Sequence, residues 1–151
     1  MYDCANTFRK TCENAAESDG ISVLAANTET ALFAEWLDSI EDRDARSAFC
    51  YLVGIAICLQ DYECRIQLKG DVRDFQFYNT AGEQLFSFIT NQRWLLFYFR
   101  APALRSGGFS FERLKEQFES LSENRAGEWT IRIRTIKDVD RLAQYLGWVT
   151  Q

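Results

Sequence analysis

Ala48 to Leu59 reads AFCYLVGIAICL, twelve positions without a charge or a strongly polar side chain. That is too short for a bilayer, which needs about 20 apolar residues. It is long for a strand. Periodicity cannot decide for an all-apolar run, so length decides, and it favours a helix. A helix apolar on every side belongs in a core. Asp42 or Asp44 can cap its start by accepting a backbone N–H. The pattern predicts a central helix over about Ala45 to Gln60.

Before this run the apolar period is 3.6. Ala5, Phe8, Cys12 and Ala15 share one face of a helix over residues 3–18, with Asp3 placed to cap it and Gly20 to end it. A second helix is predicted from Thr28 to about Ile40. Its stripe is Leu32, Phe33, Trp36, Leu37 and Ile40, and Glu29, Glu35, Asp38 and Glu41 face water. At about Glu63 the period drops to 2. Arg65, Gln67 and Lys69 alternate with Cys64, Ile66 and Leu68, the mark of a half-buried strand. Phe75 to Tyr78 is a second strand, and Asn79 to Gly82 (NTAG) is a hairpin signal. Glu83 to Thr90 returns. Arg93 to Arg100 (RWLLFYFR) is apolar on both faces, as a central strand is.

Ala101 to Gly108 then reads as a loop. Ser110 opens a helix whose inner face is Phe111, Leu114, Phe118 and Leu121. A turn at Asn124 to Gly127 leads to a strand over Glu128 to Thr135. Thr135 with Asp138 forms a capping box for a last helix that buries Val139, Leu142, Ala143 and Leu146. The elements make an α+β fold: an N-terminal layer of about three helices, packed on a mostly antiparallel sheet of about five strands with two further helices. One domain over residues 1–151 is expected; the alternative is a helical unit at 1–62 and a sheet-rich one at 63–151.

Composition narrows the chemistry. The chain has no histidine, which removes the commonest general base and metal ligand. Nucleophile elbows, phosphate-cradling glycine loops and dinucleotide fingerprints are absent from the sequence. No cofactor and no metal is expected, and the reading is non-enzymatic. Five cysteines, at 4, 12, 50, 58 and 64, are an odd number with no CxxC spacing. They read as reduced thiols in a soluble, cytoplasmic protein. The N-terminus lacks the basic head and apolar stretch of a signal peptide, and no membrane partner is expected.

Charge is uneven. Residues 1–64 hold twelve acids against four bases, and residues 65–151 ten against thirteen. Three constellations follow. Glu29, Glu35, Asp38, Glu41, Asp42 and Asp44 form an acidic face suited to a basic surface on another protein, such as a toxin, a nuclease or a nucleic-acid-binding complex. The expected function is a small acidic inhibitor of the toxin-immunity or phage anti-defence type. Arg93, Arg100, Arg105, Arg132, Arg134 and Lys137, with Trp94, Tyr98 and Trp129 among them, would suit a nucleic-acid surface instead. Asp61, Glu63, Lys69, Asp71 and Asp74 are the residues a metal-dependent nuclease would use.

Overall fold

The computed structural model describes residues 31–150. The helix expected over 3–18 and the acid Glu29 lie outside them. Residues 31–39 form α1. There follow α2 (Arg43–Ala56), β1 (Glu63–Lys69), β2 (Val72–Tyr78), β3 (Gln84–Thr90) and β4 (Leu95–Phe99). Then come α3 (Ala101–Arg105), α4 (Phe111–Gln117), β5 (Ser122–Glu123), β6 (Trp129–Ile133) and α5 (Ile136–Tyr145). The fold is α+β. Six strands form one antiparallel sheet in the order β1-β2-β3-β4-β6-β5. The expected four-strand meander is present, and β4 is central.

Alternation sorts the sheet into two faces. Phe75, Phe77, Phe86, Phe88, Leu95, Phe97, Phe99, Ile131 and Ile133 are buried on one. α2 lays Ala45, Ala48, Phe49, Leu52, Val53 and Ala56 on this face, and Phe49 meets Phe88 edge-on at 6.2 Å. α1 adds Phe33, Trp36 and Ile40, and α5 adds Val139, Leu142 and Ala143. The opposite face carries a cross-strand row of Arg65, Gln76, Ser87, Tyr98 and Thr130.

Several expectations are corrected. The central helix ends at Ala56, four residues early. Cys58 N and Leu59 N bond back only three residues, to Ile55 O and Ala56 O, so the last turn tightens and stops. Its run is also not buried all round: Cys50, Tyr51, Gly54 and Ile55 are half-buried, and Ile57 and Cys58 are exposed. The expected loop at Ala101 to Gly108 opens with α3, because Pro102 sits in its first turn, where a missing N–H has no helical partner to lose. α4 stops at Gln117, although Phe118 and Leu121 remain buried beyond it. β5, two residues long, is too short to show a period.

Two turns repeat one solution. In NTAGE (Asn79–Glu83) and NRAGE (Asn124–Glu128) the asparagine Oδ1 accepts backbone N–H groups two and four residues on. This Asx geometry closes both hairpins. The chain ends differently. After α5, Gly147 takes φ 71°, which favours glycine. Gly147 N then bonds Gln144 O at 3.1 Å, and Trp148 N bonds Ala143 O at 2.8 Å. This Schellman arrangement swings Trp148 back onto the sheet, where it stacks on Phe77 at 5.0 Å.

Candidate functional site

The β3–β4 turn and the end of β6 place the cationic residues. In the register Leu95 faces Ile133 and Leu96 faces Arg132, so Trp94 and Arg134 fall opposite one another just past the ladder. The Arg132 guanidinium lies 4.6 Å from the centre of the Trp94 ring and that of Arg134 lies 5.6 Å away. Both distances are within cation–π range. The backbone beneath is fixed from two sides. Ser120 Oγ accepts from Arg132 N at 2.9 Å, and Asp138 Oδ2 accepts from Arg134 N at 2.9 Å. Asp138 and Thr135 also form the expected capping box of α5.

Among the described residues, Arg93, Arg132, Arg134, Lys137 and Arg141 make no ion pair. Three open grooves converge here. One, of about 640 Å³, is lined by Lys115, Ser120, Arg132, Arg134 and Arg141 among others. A second, of about 630 Å³, runs over Trp94, Leu96, Ser120 and Arg132. The third, of about 380 Å³, is lined by Asp42, Asp44, Arg93, Trp94, Arg134 and Thr135.

The third groove revises the reading of two separate charged faces. Asp42 and Asp44 share a cavity with Arg93 and Arg134. The cause is backbone docking: Glu41 N and Asp42 N both donate to Gln92 O, at 2.8 and 3.0 Å, pinning the start of α2 to the β3–β4 turn. Other acids are already engaged. Glu35 pairs with Arg73 at 3.4 Å, and Asp38 with Arg46 at 3.7 Å. Asp42 caps α2 by accepting from Ala45 N at 2.8 Å. Glu41 and Asp44 are exposed and make no ion pair among the described residues.

Arg100 and Arg105 do not join the cationic site. Arg100 pairs with Glu128 at 3.0 Å, with side-chain exposures of 23% and 17%. It also donates to Ser87 Oγ and lies over Tyr98. Arg105 is 4.0 Å from Glu83. Lys137 is exposed on the first turn of α5. Lys115 and Ser120 were missed in the sequence, because nothing local to them indicates that Arg132 is their neighbour. Lys115 also bonds the carbonyls of Glu119 and Leu121, at 2.6 and 3.0 Å.

The carboxylates considered for a nuclease are spread out. Glu63 faces Tyr78 while Asp74 faces Gln67, four residues along the strand, or roughly 13 Å. Arg65 donates to Glu63 at 2.8 Å and lowers its pKa. Asp74 is buried and accepts from Gln76 Nε2 at 2.7 Å. No group of three or more metal-ligating side chains occurs among the described residues.

Among the described residues, cysteine chemistry departs from the expectation of reduced thiols at Cys50. Cys50 is disulfide-bonded, while Cys58 and Cys64 are free. The bond removes one ground for a cytoplasmic setting, where disulfides are rare. Separately, no helix among the described residues is long and apolar enough to cross a membrane. Burial, with the Glu63 charge adding to it, pushes the Cys64 thiol up to about 11. The fold therefore favours protonated Cys64. Its contribution to stability is full below the ordinary value of 9.0 and is lost as pH rises towards about 11. At about pH 8.5, near the ordinary thiol pKa, iodoacetamide should alkylate exposed Cys58 well before Cys64 in the native protein. Equal rates by peptide mass mapping would contradict this.

Compared with known proteins, the chain matches no family model, no curated protein and no solved structure.

Proposed function

We propose that the protein is a non-enzymatic binding module and that Arg93, Trp94, Arg132 and Arg134 form its contact surface for nucleic acid. The observation that carries the reading is two guanidiniums held over one indole, with no carboxylate paired to either among the described residues. Guanidinium groups in this state can meet phosphates, and their outer planes can stack on bases. Arg141 and Lys115 lie along the adjoining groove, which Glu116, Glu119 and Asp138 also line. The wide separation of Glu63 and Asp74 supports binding without cutting.

The test is anisotropy of a labelled single-stranded oligonucleotide across a salt series. Affinity should fall with salt. Arg132→Ala with Arg134→Ala should make the log–log slope shallower by roughly 1.4, about 0.7 for each phosphate that the protein no longer neutralises. No binding by the unaltered protein at low salt would sink the proposal.

A second reading is the acidic inhibitor, supported by exposed Glu41 and Asp44, which keep their charges unpaired among the described residues. One double variant separates the two. Under the inhibitor reading, Glu41→Lys with Asp44→Lys abolishes capture of a basic protein partner. Under the nucleic-acid reading it strengthens oligonucleotide binding, because Asp44 shares a cavity with Arg93 and Arg134 and its charge repels phosphate.

A further inference from the structure

The sheet has two edges. One is β5, two residues long. The other is β1, seven residues long, which among the described residues pairs with β2 alone. A free edge offers a row of backbone N–H and C=O groups to any strand that meets it, and natural edges are guarded by shortness, proline, a bulge or a charge on the covered face. β5 has the first of these guards. β1 has none. It pairs with β2 in unbroken register, it contains no proline, and its positions on the helix side of the sheet are Cys64, Ile66 and Leu68. On the other side Glu63 and Arg65 pair with one another at 2.8 Å. We propose that β1 is a dimer edge, pairing antiparallel with β1 of a second copy about a two-fold axis at Ile66.

Register carries the choice of occupant. An axis at Ile66 uses all seven residues of β1. It sets Ile66 opposite itself, Cys64 opposite Leu68, Arg65 opposite Gln67 and Glu63 opposite Lys69. Apolar positions meet apolar positions on the helix side, and no like charges face one another. Sliding the copies by one residue would join the apolar face of one to the polar face of the other. Sliding them by two would put Arg65 opposite itself or opposite Lys69, and like charges directly across a strand pair are destabilising.

Leu68 supplies a second reason. Its side chain is 48% exposed although it lies on the helix side of the sheet. In the paired edge it gains an apolar neighbour, the half-buried Cys64 of the other copy. The surface around Trp94 stays open, because β4 and β6 lie towards the other end of the sheet. Association of two copies and binding of an oligonucleotide are therefore separately measurable.

Sedimentation velocity of the full chain over a concentration series should show a monomer–dimer equilibrium. Leu68→Asp should weaken it on the order of tenfold or more, because a carboxylate at the interface loses its water. Ile136→Asp, at a similarly exposed apolar residue on α5, should leave it unchanged. Ile66→Cys tests the axis. Directly opposed positions hold their Cα atoms about 4.5–5.5 Å apart, within disulfide reach, so mild oxidation should give a peptide linked 66 to 66 in mass spectrometry. Leu68→Cys should give no 68-to-68 link, since those positions are four residues apart along the pair, or roughly 13 Å. A monomer across the whole series would overturn the proposal. So would a dimer that Leu68→Asp leaves intact, or one in which the thiols at position 66 never link.

Discussion

Replacing Phe88 with alanine is expected to lower the free energy of unfolding by about 3–5 kcal/mol, the range for a fully buried phenylalanine. Phe88 has no solvent exposure. Its ring stacks on Phe75 at 4.9 Å and meets Phe49 edge-on at 6.2 Å. One ring thus joins β2, β3 and α2. Alanine would remove the transfer energy and leave a hollow among rigid rings, which collapse poorly around it. Domains of this size are stable by only about 5–15 kcal/mol. The urea midpoint should fall steeply, with the slope of the transition unchanged. A shift of under about 1 kcal/mol, the scale of an ordinary surface change, would place Phe88 outside the core.

The second large effect is at Trp148. Its ring contacts Tyr62, Phe77, Phe86 and Phe97, and closes the aromatic cluster at the end of the chain. Trp148 is half-buried, so Trp148→Ala should cost about 3 kcal/mol, the low end of the range for a core ring. Trp148→Phe should cost far less. The indole Nε1 is buried without a hydrogen-bond partner, and phenylalanine removes that desolvated donor along with part of the ring. Thermal unfolding of the two variants side by side checks this. Equal losses would mean that ring packing is not what Trp148 contributes.

Much of this fold is legible in local pattern. The meander is visible because Cys64 to Thr90 alternates with period 2, and its turns carry Asn and Gly where the chain reverses. The capping box at Thr135 and Asp138 is visible because both partners lie within one helical turn. β4 is recognisable as central because Arg93 to Arg100 is apolar on both faces. The candidate site is legible only as a set of types. Arg93, Arg132, Arg134 and Trp94 stand out in sequence, but so do Arg100 and Arg105. Nothing local distinguishes the arginine that pairs with Glu128, twenty-eight residues away, from those without an ion pair among the described residues.

The sequence by itself determined most of the helices and strands, α3 and β5 excepted, because side-chain period and capping are properties of neighbours along the chain. Tertiary structure alone decided the pairing of charges. Asp42 and Asp44 lie beside Arg93 and Arg134 because Gln92 holds the start of α2. Arg132 and Arg134 share Trp94 because of the β4–β6 register. Register is set by packing across the whole sheet, and Coulomb interactions depend on distance in space. For that reason acids and bases some fifty to ninety residues apart in sequence, Asp42 and Asp44 with Arg93 and Arg134, share one groove in the fold.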